Sequence, residues 1–244
     1  MTADVEVVVW HDLECGGYGA DLPLWRELAA DADGAVLDVG AGTGRVALDL
    51  ARRGCDVVAL DRDPALLAAL ESRARAEDLD VVTVCADARA FDAAGSFALC
   101  VVPMQTIQLL GGPDERGRCL ECLRAHLVAG GRIGAALADP LEGFPGDVVS
   151  LPLPDMGEHD GWVFSSQPVA LHRDERATVI ERNRQRVAPD GTRTEATDLV
   201  RLDDLDAAQL EREAVAHGLR ALPRRRVAAT EEHVGSEVVL LEAV

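Results

Sequence analysis

Aromatic residues are scarce in this chain: three Trp, four Phe and one Tyr make up 3% of 244 residues. Its core must therefore be aliphatic, and a hydrophobic fraction of 48% is enough to fill a sizeable one. No apolar run reaches the ~18–20 residues needed to cross a bilayer. The opening MTADVEVVVWHDLE has no basic leader, apolar stretch and cleavage site in succession, so it does not read as a secretory signal. The expected compartment is the cytoplasm. Positive charge is also in deficit. Twenty-four Lys and Arg face 43 Asp and Glu, a formal net charge of −19. A field of that sign repels phosphate backbones and anionic lipid surfaces, so nucleic acid and membranes are set aside as partners. A zinc pattern is missing too. Cys119 and Cys122 form a C-x-x-C, with no second pair and no His at zinc spacing. They read as small apolar side chains on the buried face of a helix, and no metal is expected.

What is present is alternation. The first half switches between short aliphatic runs and amphipathic stretches, the pattern of βαβ units on a parallel sheet. Strands are predicted at 35–39, 56–60, 80–85, 97–102 and 132–138, each almost continuously apolar, as suits strands covered on both faces. Helices are predicted at 21–32, 45–53, from Pro64 through LLAALESRARAE, and at 114–129. Asp63 before Pro64 is an N-cap followed by proline at the first helical position. After Asp139-Pro140 the pattern changes. Residues 141–160 are rich in Gly, Pro and Asp and read as loop. Three β-like stretches follow at 162–172, 177–188 and 193–202, divided by short turns. A helix at 205–217 and strands at 219–228 and 237–242 close the chain. The expectation is one α/β domain: a Rossmann-like doubly wound sheet, mostly parallel with an antiparallel last strand, plus an inserted antiparallel β-meander. Within it, 1–34 is an N-terminal lid, 35–140 the core, 141–204 the loop and meander, and 205–244 the C-terminal helix and edge strands.

The sharpest local signal is Asp38-Val39-Gly40-Ala41-Gly42-Thr43-Gly44, where the first strand runs into a helix beginning near Arg45. Glycines permit positive φ and close approach of a ligand to the backbone, and a helix start offers unpaired N–H groups. A dinucleotide fingerprint needs G-x-G-x-x-G, but Arg45 stands where its third glycine belongs. G-x-G-x-G, with an acid two residues before it, suits a ligand without a pyrophosphate. Asp38 is placed to meet a cationic group. Asp61, ending the second strand, can accept hydrogen bonds from two ribose hydroxyls. That role serves any adenosine ligand, and because Asp63 already provides the N-cap, Asp61 is free for it. Asp87, after the third strand, can accept from an adenine amino group while the Ala88 N–H donates to a ring nitrogen. Alone it would read as a loop Asp in an Asx turn.

These residues resemble the class I S-adenosylmethionine-dependent methyltransferases of small-molecule type. VLDVGAGTGRVALDLARRGCDVVALDRDPALL is similar to that family's first two motifs, and VVTVCADARAF to its adenine-contacting segment. FALCVVPMQTIQLLGG followed by CLRAHLVAGGRIGAAL is similar to its fourth strand, loop, helix and glycine turn into the fifth. The resemblance covers residues 21–139 well and 205–244 more weakly. It implies that Gly40, Ala41, Gly42 and Gly44 line the cofactor, with Asp61 and Arg62 at the ribose and Asp87 and Ala88 at adenine. It also implies that Val102, Pro103 and Met104 border the methionine moiety, and that Tyr18 closes over the cofactor from a lid. The cofactor implied is S-adenosyl-L-methionine, with S-adenosyl-L-homocysteine as product. Where many nitrogen- and nucleic-acid-methylating members carry Asn/Asp-Pro-Pro-Tyr after the fourth strand, this chain reads Val-Pro-Met-Gln-Thr, which argues against base methylation and leaves the acceptor undefined.

Methyl transfer from a sulfonium is an in-line displacement, so the protein chiefly positions the nucleophile and excludes water. An amine needs only deprotonation, whereas a hydroxyl or carbon acid needs a base or a metal. His11, His159, His172 and Asp139 are the base candidates, each equally readable as a solvated loop residue, and no catalytic base is assigned. Gln105, Gln108, Asp139 and His159 are candidate substrate contacts, with Gln105 and Gln108 equally readable as capping the next helix. Arg182, Arg184 and Arg186 share a strand face. That face reads as an anion-binding wall or as a solvent or dimer face neutralised by the chain's carboxylates. The leading expectation is a methyltransferase for a small molecule, natural-product-like or a nucleotide-sugar, with a homodimer as the one assembly considered. A NAD(P)-dependent oxidoreductase, disfavoured by glycine spacing and the absence of a Tyr-x-x-x-Lys pair, and a cofactor-binding but inactive scaffold or regulatory protein stand as alternatives.

Overall fold

The computed structural model describes residues 1–138, 152–231 and 233–244. Its elements follow in chain order. α1 (Ala3–His11) runs into a π-helical turn at Asp12–Gly16, then α2 (Leu22–Ala30), β1 (Val36–Val39), α3 (Arg45–Ala51), β2 (Val57–Asp61), α4 (Pro64–Ala76), β3 (Val81–Cys85) and β4 (Phe97–Val102). A 3₁₀ turn (Thr106–Leu109), α5 (Pro113–Ala125) and β5 (Leu127–Leu137) complete the core. The meander holds β6 (Asp155–His159), β7 (Trp162–Arg173), β8 (Ala177–Val187) and β9 (Arg193–Asp203). α6 (Ala207–Ala216), β10 (Leu219–Val227) and β11 (Ser236–Ala243) end the chain.

Seven strands form the main sheet in the order β10-β11-β5-β4-β1-β2-β3. β3, β2, β1, β4 and β5 are mutually parallel, and β11 pairs antiparallel to both β5 and β10. β1 and β4 are buried along their whole lengths, as expected of central strands covered on both faces. Alternate residues feed two separate cores. Leu37, Val39, Leu60 and Val102 pack with Leu120 and Leu123 of α5 and Leu210 of α6. Val36, Val57, Leu99 and Val101 pack with Trp25 of α2, Val46 and Leu50 of α3 and Leu70 of α4. The α4 start is built as the sequence implies: the Asp63 carboxylate accepts from the Ala65 N–H at 2.8 Å, ahead of Pro64.

The second sheet has four antiparallel strands, β6-β7-β8-β9, one more than the sequence pattern suggests. β6 lies in a stretch read as loop. Its pairing with β7, from Asp155 opposite Ser166 to His159 opposite Trp162, is what makes it a strand. Two further differences concern helices. α1 and its π-helical turn occupy the N-terminus, where no helix before residue 21 is expected. α5 ends at Ala125, because Leu127 already pairs with Phe97 of β4, so 127–129 are strand rather than the helix predicted there. No helix of the described residues is long and apolar enough to cross a membrane.

Candidate functional site

At the carboxyl end of β1 the chain turns through Gly40 (φ 71°), Gly42 (φ 54°) and Gly44 (φ 96°) into α3. The Gly40 and Ala41 N–H groups both donate to the Leu60 carbonyl, at 2.8 and 3.0 Å, which ties the turn to the end of β2. Space excludes side chains as firmly as φ does. A Cβ on Gly40 would lie 2.6 Å from the Thr106 methyl, and one on Gly42 would overlap the His11 ring. Thr106 is held there because its hydroxyl donates to the Pro103 carbonyl at 2.9 Å. Met104, between them, adopts a left-handed φ of 55°, uncommon for a residue with a side chain. Val102 and Pro103 are buried at the same strand end.

Asp61 is the best-defined polar group at the turn. Its Oδ2 accepts from the Gly42 N–H at 2.8 Å and its Oδ1 from the Asp63 N–H at 2.9 Å. A carboxylate offers about four lone-pair sites, so this anchored, half-buried group retains capacity for two hydroxyls. Arg62, beside it, is exposed. Asp87 sits in an Asx turn, its Oδ1 accepting from the Arg89 N–H at 2.9 Å. The Arg89 guanidinium, itself paired with Glu115, holds the Asp87 carboxyl down at about 2. It is therefore a permanently ionised acceptor beside half-buried Ala88.

Asp38 is unlike any other acid described. It is 1% exposed, yet neither carboxylate oxygen has a hydrogen-bond partner. Burial pushes it up to about 7, against the pull of Arg45 and of the Ala47 amide, which points its way without bonding geometry. Arg45 is already engaged elsewhere. It clamps Asp21 at 2.6 and 2.9 Å and donates to the Tyr18 carbonyl at 2.9 Å. Tyr18 is also buried, under the Arg45 guanidinium and against His233, and its hydroxyl has no partner. Two orphaned buried polar groups flanking a glycine turn, plus an anchored carboxylate with spare acceptors, fit an adenosyl amino acid. Its ammonium would complete Asp38 and its ribose Asp61.

The N-terminal segment covers this turn. The Thr43 hydroxyl donates to Asp12 at 2.7 Å, and Arg73 of α4 grips the same Asp12 while donating to the Thr43 carbonyl at 3.2 Å. His11 lies on Gly42 with Nδ1 3.4 Å from the Thr43 hydroxyl, and burial lowers its basicity. Nothing in the sequence pattern singles out Thr106, Asp12 or Arg73. The signal available for them is indirect: glycine spacing reports that something approaches, but not what.

The three arginines of β8 face the lid. Arg184 makes a bidentate pair with Glu14 (both 2.7 Å) and lies over the Trp10 ring. Arg182 bonds Ser166 and Asp155, and Arg186 pairs with Glu6. Trp10 packs edge-on against Phe164 of β7 at 4.9 Å. The wall is neutralised by the chain's own carboxylates, as one of the two readings has it: Glu6 and Glu14 come from the lid, and Asp155 and Asp198 from the meander itself.

The remaining candidates are dispersed. Gln108 is 3% exposed, and its amide joins three backbone groups: the Ala138 carbonyl (3.1 Å), the Ala138 N–H (3.0 Å) and the Asp203 carbonyl (3.3 Å). Gln105 is half-buried at the start of the 3₁₀ turn and caps nothing with its side chain. His159 ends β6 at the rim of a groove of about 570 Å³ between α1 and α4, floored by Val5, Val8 and Ala65. His172 is exposed and faces Glu181. Asp139 lies outside the described residues. All six cysteines are free, and no metal-binding cluster occurs among the described residues.

Residues 36–131, from β1 through the glycine turn to the start of β5, match the family model described as a methyltransferase domain. This segment is similar to methyltransferase domains. Beyond it, the cypemycin N-terminal methyltransferase of a Streptomyces species is 33% identical over 125 residues. That match covers 51% of this chain and 50% of the relative, so the chain spans about half the length of the curated protein it matches. Among solved structures, the sugar N-methyltransferase KedS8 from a Streptoalloteichus species has a TM-score of 0.74 at 18% identity, covering 98% of this chain and 92% of that one. CalS10, an amino pentose methyltransferase of Micromonospora echinaspora solved with S-adenosylmethionine bound, has a TM-score of 0.73 at 20% identity, covering 100% and 98%. Those likenesses establish that the fold, meander included, is that of these enzymes.

Proposed function

We propose that the protein is an S-adenosylmethionine-dependent methyltransferase acting on an amine nitrogen of a small molecule. The observation that carries the cofactor is Asp61, fixed by two backbone N–H groups beside a three-glycine turn with acceptor capacity left over, inside a segment similar to methyltransferase domains. The choice of nitrogen is supported by the relatives, whose names describe an N-terminal amine, a sugar nitrogen and an amino pentose. It is also supported by the acidity of the chain, which favours cationic substrates.

In this reading the bound cofactor supplies a methyl group on an already positive sulfur. Asp61 takes the ribose hydroxyls, Asp87 and the Ala88 amide take adenine, and Asp38 faces the amino-acid end. Pro103 and Met104 border the reacting centre. Segment 1–34 shuts out water, and 141–204 supplies the wall against which the acceptor is placed, as parts of one domain with 35–140 and 205–244. Positioning and exclusion of water do most of the work, since a neutral amine is nucleophile enough.

The test is transfer of labelled methyl from S-adenosylmethionine to a panel of amines, amino sugars and peptide N-termini among them, each paired with its hydroxyl counterpart. Label should enter amines only. Label in the hydroxyl series, or in neither, overturns the proposal.

A further inference from the structure

Asp38 stands in the middle of β1, its Cα registered between Ala59 of β2 and Val101 of β4. Strand alternation turns its side chain to the face shared with Val36, the face covered by α2 and α3, where Arg45, Asp21 and Asp61 are the charges that act on it. A carboxylate there has lost its water without gaining a donor, and an unpaired charge in such a place is costly. Burial outweighs Arg45 and the Ala47 amide, which favour the charged form. From α3, Arg45 is committed to Asp21 at the head of α2, while Asp21 and, from β2, Asp61 are further negative charges acting on the same group. His11, Asp12 and Tyr18 of the lid complete the titratable set at the turn, with Asp12 clasped by Arg73 and the Tyr18 hydroxyl pushed up by burial.

We infer that Asp38 is held as the uncharged acid in the free protein and releases its proton when the ammonium group of the cofactor settles at the glycine turn. This rests on the cofactor proposed above and adds a proton to its binding equilibrium. The carboxylic O–H bond breaks, the proton leaves to solvent, and the carboxylate left behind faces a cation that stays protonated. Burial places the group at about 7. At pH 6 the free protein therefore carries that proton in about nine molecules of ten, and binding tightens ~10-fold between pH 6 and pH 8.

The inference is tested by titrating the full chain calorimetrically with S-adenosylhomocysteine at pH 6, in buffers of different ionisation enthalpy. About 0.9 proton should be released per ligand bound. Asp38→Asn, isosteric with the neutral acid, should still bind and release almost none. His11→Gln should keep the release, which separates Asp38 from the buried imidazole. 5′-Methylthioadenosine, which has the adenosine but no ammonium, should bind the wild type without releasing a proton. Binding of S-adenosylhomocysteine with a heat independent of buffer, or proton release that persists in Asp38→Asn, overturns this inference and leaves the proposed function standing. No binding of S-adenosylhomocysteine at any pH overturns both.

Discussion

At the scale of single residues, the turn after β1 is constrained from both sides of its backbone. Gly42 has a left-handed φ of 54° and its missing Cβ is replaced by the His11 ring. Gly42→Ala should therefore lose about 1–2 kcal/mol for the backbone and more for the ring. Adding His11→Ala should recover the second part only. Urea unfolding of the two single variants and the double one measures this, and strictly additive losses would show that the ring does not press on the turn. Asp38 sets a second expectation in the free protein. Its folded value, about 7, lies above the ordinary 3.8, so the stability it contributes is fully present below pH 4 and lost as pH rises through 7. Each tenfold difference in proton affinity between the folded and unfolded chain is worth about 1.4 kcal/mol. Asp38→Asn should match the wild type in melting temperature at pH 4 and exceed it by a growing margin up to pH 8. Equal melting temperatures at both pH values would mean that Asp38 is solvated or paired.

At the scale of elements, the lid and the meander form one contact surface. Glu14, with 10% of its side chain exposed, takes both nitrogens of Arg184 and the Ser166 hydroxyl at 2.6 Å. Removing one partner of a fully buried pair costs ~3–5 kcal/mol; Arg184 is 22% exposed, so Glu14→Ala should cost on the order of 2 kcal/mol. It should also speed proteolysis within residues 3–21 while leaving the main sheet resistant. Unchanged cleavage would mean that the lid is held elsewhere. These elements also mark where the sequence was readable. The βαβ core shows in its aliphatic runs, and the Asp63-Pro64 start of α4 in two residues of local chemistry. α1 does not show, because ADVEVVVWH is apolar on nearly every side and its β-branched valines favour strand over helix. β6 is hidden because its partner is β7, not its own composition. The Arg182, Arg184 and Arg186 face was visible as a face, but Glu14, the lid partner of Arg184, lies 170 residues away and no local pattern points to it.

At the scale of the molecule, a chain of net charge −19 gathers its acids for different uses. Some seat the lid, and others, around Arg116, join α5, α6 and the exit of β9 through Asp203 and Glu213. A few stand at the strand ends that a cofactor must meet. The glycine turn itself could be read from spacing, whereas the anchoring of Asp61 and the isolation of Asp38 depend on neighbours brought in by the fold. The most direct test of the account is the affinity of the wild type and of Asp61→Ala for S-adenosylhomocysteine, measured side by side by calorimetry. Wild-type protein should bind one equivalent, and the variant should bind more weakly by ~1–3 kcal/mol, about 5- to 150-fold. Equal affinities, or a wild type that ignores this ligand and takes NADH instead, would contradict it.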